Sequence, residues 1–142
     1  ATVVGWYEYL RPTYNYGSIS LDCTIGNTVG WYGYFWTSQY GMNNIPITIN
    51  GYPSDVFPGT QFKSVGRSTV TDDQRVYYTI PVVGQPGSPV WTSIARAGCT
   101  PCALGIHGYA GPPDYNQSSG VKINRSVFRN LWFWKYGSYP PY

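Results

Sequence analysis

The chain has 142 residues and a formal net charge of +3, with 11% charged and 18% aromatic side chains. This length fits a single domain. The nine Lys and Arg residues are scattered from Arg11 to Lys135, which argues against nucleic-acid binding, because that function needs a clustered basic face. No apolar run approaches the roughly 20 residues of a membrane-spanning helix. We therefore expect no nucleic-acid partner and no membrane span.

The first half of the chain predicts short β-strands separated by turns. Residues 1–22 predict two strands, because TVVGWYEYL is rich in β-branched and aromatic residues and SISL alternates polar and apolar. Residues 23–40 predict a connector. The segment IPITINGY predicts a strand, and QFKSVGRSTVT and RVYYTIPVV predict a hairpin around Asp72 and Asp73. We interpret those two carboxylates as a solvated turn.

The second half predicts three more strands and one helix. The strands are SPVWTSIA, CALGIHGYA and the start of GVKINRSVF. A helix is predicted at about residues 126–136, with Ser126 as its N-cap and Gly137 as its end. Its apolar face consists of Val127, Phe128, Leu131 and Trp134. Few charges, many aromatics and many Gly and Pro residues indicate an all-β protein with secreted character.

Three cysteines are present, Cys23, Cys99 and Cys102. The CTPC segment leads into a predicted strand, whereas a redox CxxC motif opens a helix, so we expect a structural disulfide between Cys99 and Cys102. Pairing of Cys23 with either one stays open, as does a bond from Cys23 to another chain. A zinc site that adds His107 would lack a second ligand pair, so we expect no metal and no cofactor.

Two further features concern processing and modification. The chain starts at Ala1 with neither an initiator Met nor a signal peptide, from which we expect a processed mature fragment. Asn116 in NQS and Asn124 in NRS fit the N-glycosylation acceptor pattern.

Several segments, in a consistent order, resemble one family. They are YNYGSISL, IGNTVGWYGY, ITINGYPSD, GQPGSPVW, ALGIHGYAG and GVKINRSVFRNLWFWK. Together they resemble the glutamyl endopeptidases, a group of trypsin-like serine proteases. The resemblance implies an antiparallel Greek-key β-barrel of the chymotrypsin type with a C-terminal helix. It implies the last hairpin of a first barrel at residues 1–22 and a complete second barrel at residues 41–142.

The positions of the catalytic groups in that family hold different residues here. Pro86 stands at the nucleophile position, and proline has neither a hydroxyl nor a backbone N–H. Asn15 stands at the position of the triad aspartate, and no histidine precedes it. Gly84 retains one position of the oxyanion hole. Ser88 would replace the lost hydroxyl only if its loop were reorganised. From these losses we predict that the protein is not an enzyme.

The specificity pocket of the family places a histidine where His107 stands, so the resemblance implies that His107 binds a substrate carboxylate. The alternative is a structural histidine in a hydrogen-bond network. We expect a secreted, non-catalytic serine-protease homologue that acts by binding, such as a toxin, effector or inhibitor subunit. A protein partner would supply the missing first-barrel strands as an N-terminal fragment, a second chain or a second copy. The alternatives are a serine endopeptidase fragment with rebuilt activity and a carbohydrate-binding module.

Overall fold

The computed structural model describes residues 1–37, 42–54, 59–80, 85–94, 98–109 and 117–141. This part of the chain contains seven strands: β1 Gly33–Tyr34, β2 Pro46–Gly51, β3 Phe62–Thr71, β4 Arg75–Tyr78, β5 Pro89–Thr92, β6 Cys102–Tyr109 and β7 Ser118–Lys122. It also contains three α-helices, α1 Val4–Tyr7, α2 Gly26–Val29 and α3 Arg125–Tyr136, and a 3-10 turn at Pro12–Tyr14. No helix within these ranges is long and apolar enough to cross a membrane.

The six strands β2 to β7 form a closed antiparallel barrel. Their order is β6-β5-β2-β3-β4-β7, and β7 closes the barrel by pairing with β6. The short strand β1 runs parallel to the start of β6, where Gly33 pairs with Cys102. The chymotrypsin-type barrel with a C-terminal helix that the sequence predicts is therefore confirmed, and β3 and β4 form the predicted hairpin.

The barrel is filled by side chains that alternate along the strands, as expected for sheets with one buried face. Ile47 and Ile49 on β2, and Val76 and Tyr78 on β4, are almost completely buried. The remaining buried side chains of this cluster include Met42, Ile80, Val90, Cys102 and Leu104. The interior is thus packed with side chains and positions the loops at the barrel rim.

Helix α3 packs its apolar face on the outside of the barrel. Val127 is buried with Val121 and Ile123, and Phe128, Leu131 and Trp134 pack around them. The N-cap is Asn124, whose Oδ1 accepts a hydrogen bond from the Val127 N–H at 3.0 Å. The sequence prediction of Ser126 as the cap is wrong, because Asn124 reaches the free N–H at the preferred spacing. Gly137 ends the helix with φ = 71°, as predicted.

Residues 1–22 differ from the two predicted strands. Val4–Tyr7 is helical, Pro12–Tyr14 is a 3-10 turn, and one antiparallel bridge joins Thr2 to Gly17. An isolated pair of strands is only marginally stable. Local hydrogen bonds therefore satisfy this backbone instead, for example from the Tyr7 N–H to the Val3 carbonyl at 3.1 Å.

A disulfide joins Cys99 to Cys102 at the start of β6, and Cys23 is exposed without a disulfide partner in the described residues. The adjacent strand β1 approaches this bridge closely. A Cβ atom on Gly33 would lie 2.4 Å from the Cβ of Cys99. Gly33 is thus required for the β1–β6 pairing, which holds the connector against the barrel.

Candidate functional site

An open cleft of about 1020 Å³ lies between the N-terminal segment and the rim of the barrel. Three of the residues that the sequence singles out line it together: Asn15, Pro86 and His107. Gly84 lies outside the described residues. The rest of the lining is mainly apolar and includes Trp6, Tyr7, Leu10, Ile19 and Ile106. The fold therefore brings residues from three distant parts of the chain to one site.

The loop at Pro86 is fixed by backbone hydrogen bonds to β6. The Gly87 N–H donates to the His107 carbonyl at 2.8 Å, and the His107 N–H donates to the Ser88 carbonyl at 2.9 Å. Gly87 has φ = 90°, a conformation that glycine adopts without strain. The loop and His107 are thus held in a fixed relation by the main chain.

The same loop packs tightly against the end of β2. A Cβ atom on Gly51 would lie 2.0 Å from Oε1 of Gln85 and 2.1 Å from Oγ of Ser88. Both of these side chains are buried. Glycine at position 51 is therefore what allows the turn to sit against the barrel.

The hydroxyl closest in sequence to Pro86 belongs to Ser88. Its Oγ donates a hydrogen bond to the Gln85 carbonyl at 2.8 Å, and the residue is 8% exposed. Ser88 lines a neighbouring cavity of about 480 Å³ with Tyr32 and Asn50, whereas Asn15 and His107 line the cleft. In this arrangement Ser88 stabilises the turn, and Pro86 offers neither a hydroxyl nor an N–H to the cleft.

Asn15 follows the 3-10 turn, is half-buried and lines the cleft. Its Nδ2 donates to the hydroxyl of Tyr109 at 3.3 Å. The next residue, Tyr16, is buried, and its hydroxyl accepts a hydrogen bond from Nδ2 of Asn130 at 2.8 Å. Tyr16 thereby fixes the N-terminal segment on helix α3 and holds Asn15 at its place.

His107 lies on β6 and is only 2% exposed. Its Nδ1 lies 2.5 Å from the hydroxyl of Tyr78, which is completely buried on β4. Burial lowers the pKa of His107 to about 4, because removing water disfavours the charged imidazolium. Burial also raises the pKa of Tyr78, so at pH 7 both side chains are neutral.

Sequence reasoning missed Tyr78 and Tyr109 as partners of the site. The alternation in RVYYTI does carry a signal for Tyr78, because Val76 and Tyr78 fall on the same face of a strand. The signal for Tyr109 is absent, since its contact with Asn15 joins residues 94 positions apart.

The carboxylate of Asp72 stabilises the β3–β4 turn. Its Oδ1 accepts hydrogen bonds from the Gln74 and Arg75 N–H groups at 2.7 and 2.6 Å. Nζ of the buried Lys122 donates to the Asp72 carbonyl at 3.1 Å. Within the described ranges no group of three His, Cys, Asp or Glu residues is arranged to hold a metal ion.

Of the two N-glycosylation patterns, Asn116 lies outside the described residues. The side chain of Asn124 uses both of its polar atoms inside the fold. Its Oδ1 caps α3, and its Nδ2 donates to the Asp73 carbonyl at 2.9 Å. Glycosylation of the folded chain at Asn124 would attach the sugar to the same Nδ2 that makes this second hydrogen bond.

Two curated relatives cover almost all of this chain. A glutamyl endopeptidase of Bacillus licheniformis is 39% identical over an alignment of 136 residues, and the match covers 92% of the chain. A protein named extracellular metalloprotease from Bacillus subtilis strain 168 is 34% identical over 134 residues, or 94% of the chain. The chain is homologous to the glutamyl endopeptidases. No family model matches it.

The homology to glutamyl endopeptidase extends over only part of the relatives. The chain spans 42% and 41% of the length of the two Bacillus proteins. A solved structure of a Glu endopeptidase in complex with MPD matches with a TM-score of 0.80 at 24% identity, covering 94% of this chain and 60% of that one. The trypsin-like serine protease fold is therefore shown for this glutamyl endopeptidase homologue.

The prediction that the protein is not an enzyme is contradicted by these relatives. Both are named as proteases, and each matches more than nine-tenths of this chain. The prediction was wrong because it inferred the activity of a whole protein from the residues at positions 15 and 86. This chain spans less than half the length of these proteases, so the residues at positions 15 and 86 do not decide the activity of the whole protein.

Proposed function

We propose that this chain is the peptide-binding barrel of a secreted endopeptidase of the serine-protease type. In this proposal a second protein segment completes the molecule by covering the surface of residues 4–36. That segment is an N-terminal part of the same protein or a separate chain. Because Pro86 has no hydroxyl, the completing segment also supplies or activates the nucleophile that attacks the peptide bond.

The cleft is the observation that carries this proposal. Asn15, Pro86 and His107 come together there. In the family that the sequence resembles, these are the positions of the triad aspartate, the nucleophile and the specificity histidine. The cleft is open and mostly apolar, with a few polar groups at its base, which is typical of sites that bind extended ligands. Homology to proteases over more than nine-tenths of the chain makes a peptide the expected ligand.

The exposed surface of residues 4–36 is an argument for the completing segment. Twelve of the twenty exposed large apolar side chains of the described residues lie in this stretch. Ile19 is 88% exposed, Val29 72% and Trp31 71%. An apolar surface this concentrated is typical of an interface with another protein segment. The relatives have more than half of their length outside the matched region, so a segment of suitable size exists in them.

Secretion is supported by the name of the B. subtilis relative, an extracellular protease, and by the disulfide between Cys99 and Cys102. Disulfides persist mainly in oxidising compartments outside the cytosol. The substrate would be a protein or peptide that meets the enzyme outside the cell.

The test is to isolate the native protein with every polypeptide that co-purifies and to assay casein and peptide hydrolysis. We expect a second polypeptide, or a longer form of this chain, and hydrolysis that the 15.9 kDa chain alone does not show. Val29→Ser should weaken that association, whereas Val65→Ser is the matched control, because Val65 is similarly exposed at 67% but lies on β3. An isolated 15.9 kDa chain with no completing segment and no affinity for peptides would overturn the proposal.

A further inference from the structure

We propose that the outward face of helix α3, together with the tail that follows it, binds the surface of a bilayer that contains anionic phospholipid. The outward face consists of Arg125, Arg129, Trp132, Phe133 and Tyr136. This inference goes beyond the proposed function, because it concerns a surface away from the cleft and no step of peptide binding depends on it.

The spacing of these five residues places them on one side of the helix. They occupy positions i, i+4, i+7, i+8 and i+11, which recur on a single side at 3.6 residues per turn. Val127, Leu131 and Trp134, which pack towards the barrel, lie on the opposite side. The outward side of a surface helix normally carries charged and polar side chains, whereas here it carries three aromatic rings.

The tail after Gly137 extends this aromatic surface. The ring of Tyr139 stacks on that of Phe133, with centroids 5.0 Å apart and planes 27° apart. Next to them, the rings of Trp132 and Tyr136 have centroids 4.6 Å apart. Phe133, Tyr136 and Tyr139 nevertheless remain 40%, 53% and 54% exposed. Aromatic rings that are clustered and still exposed are typical of a binding surface.

Positive charge borders the rings. The last 28 residues, 115–142, contain four of the chain's nine Lys and Arg residues and no Asp or Glu. The guanidinium of Arg129 lies 4.7 Å from the ring centre of Tyr139, and Nζ of Lys135 lies 4.8 Å from that of Tyr136. The aromatic surface is thus also a cationic one, which attracts a partner of negative charge.

Two arginines line one small cavity at this face. Arg125 and Arg129 border a cavity of about 240 Å³ with Phe128, Pro140 and Pro141. A guanidinium presents a planar fork of N–H donors that matches the oxygens of a phosphate group. The phosphate of a lipid headgroup is therefore an anion that suits this cavity, while the neighbouring rings reach the boundary between headgroups and acyl chains.

A carboxylate also lies near the start of α3, but it does not reverse the charge there. Asp73 lines a cavity of about 250 Å³ together with Lys122 and Arg125. Two cations and one carboxylate leave this end of the helix with a net positive charge.

The combination of rings and cations favours a lipid surface over an acidic protein. Cations alone would attract either partner. Trp and Tyr, however, are enriched where the bilayer meets water, because their rings are apolar and their N–H or O–H groups stay hydrated. A helix with aromatic and cationic side chains on one face lies in the plane of that interface, and each Lys or Arg near an anionic leaflet adds to the attraction.

The experiment is co-sedimentation of the native protein, with its co-purifying polypeptides, with lipid vesicles. The vesicles consist of phosphatidylcholine alone or of equal parts of phosphatidylcholine and phosphatidylglycerol. We expect at least about tenfold tighter binding to the mixed vesicles, weakened by added salt. Equal binding to both vesicles, or no binding to the mixed ones, would overturn the inference. Neither result bears on the proposed function, whose test is the association of polypeptides and the hydrolysis of peptides.

A pair of double variants separates this face from the net charge of the protein. Replacing Arg125 and Arg129 together, Arg125→Gln with Arg129→Gln, should lower the affinity for mixed vesicles at least about tenfold. Lys63→Gln with Arg67→Gln is the matched control, because it removes the same charge from exposed positions of β3. Equal losses in the two double variants would show attraction by net charge alone and contradict the proposal.

A second pair tests the aromatic rings. Phe133→Ser should weaken binding to the mixed vesicles several-fold, whereas Phe62→Ser should not, although Phe62 on β3 is similarly exposed at 37%. Unchanged binding in Phe133→Ser would mean that the rings do not enter the interface. Binding of soluble polyglutamate without binding to mixed vesicles would assign the face to an acidic protein and overturn the inference. The measurements on the wild-type protein decide the inference even if a variant fails to fold.

Discussion

The hydroxyl of Tyr78 lies 2.5 Å from Nδ1 of His107 and links β4 to β6 through the interior of the barrel. Strand β7 pairs with both of these strands, so the hydrogen bond ties together the wall behind the cleft.

His107 should make the stability of the chain depend on pH. Its pKa is lowered to about 4 by burial, whereas the unfolded chain has the ordinary value of about 6.5. Between these values the unfolded state binds more protons, so the free energy of unfolding rises as pH rises from about 4 to 6.5. The difference amounts to about 3 kcal/mol at most.

Urea unfolding at pH 4.5 and pH 7 measures this dependence. The matched variant is His107→Gln, which removes the titrating group but leaves the Asp and Glu residues that also titrate in acid. The free energy of unfolding should change less between pH 4.5 and pH 7 in this variant than in the wild type. An identical change would show that His107 is not buried in its neutral form.

Gly51→Ala should destabilise the chain by about 1–3 kcal/mol, because a methyl group there overlaps buried atoms of Gln85 and Ser88. Gly26→Ala serves as the control, since its added Cβ would meet its nearest neighbour, a ring carbon of Trp31, at 3.7 Å. Thermal unfolding of both variants checks the difference. Equal stability of Gly51→Ala and the wild type would mean that the Gln85–Ser88 turn does not sit against β2 as described.

Tyr16→Phe should loosen residues 1–22, because it removes the hydroxyl that accepts a hydrogen bond from Asn130. The expected loss is about 1 kcal/mol. Hydrogen exchange should rise in residues 1–22 while the barrel strands stay protected. Tyr14→Phe is the control, since Tyr14 is 36% exposed. Unchanged hydrogen exchange in Tyr16→Phe would show that this hydrogen bond does not hold residues 1–22 on helix α3.

Asn124→Ala should destabilise helix α3 by about 1 kcal/mol, the usual effect of losing an N-cap side chain. Ser126→Ala should change stability by only a few tenths of a kcal/mol, as is usual for exposed sites away from such features. Chemical unfolding of the two variants measures both values. A larger loss of stability in Ser126→Ala than in Asn124→Ala would show that Ser126 is the cap, as the sequence pattern predicts.

Individual strands were predictable from local signals, whereas the barrel that they form was predicted from the resemblance to the glutamyl endopeptidases. Alternation in RVYYTI places Val76 and Tyr78 inward, and the Asp72–Asp73 turn marks the hairpin. Residues 1–22 were predicted incorrectly, since their β-branched and aromatic residues have strand propensity but no neighbouring sheet in the described chain. β-Propensity reflects packing on a sheet more than a backbone preference, so Val4–Tyr7 became helical.

The candidate site was predictable only in part. The resemblance located Asn15, Pro86 and His107, which the cleft brings together. It did not indicate that Tyr78 is the partner of His107, nor that burial makes this histidine neutral. Both depend on the closure of the barrel, in which β4 and β6 flank β7. Such a relation arises from register and packing and leaves no motif in the sequence.

Native mass spectrometry of the isolated protein, in the presence of an acetylated, amidated tetrapeptide, tests whether this chain is a peptide-binding barrel that a second segment completes. We expect a species heavier than the 15.9 kDa chain, which contains the completing segment and gains the mass of one peptide. A 15.9 kDa species that takes up no peptide would contradict it.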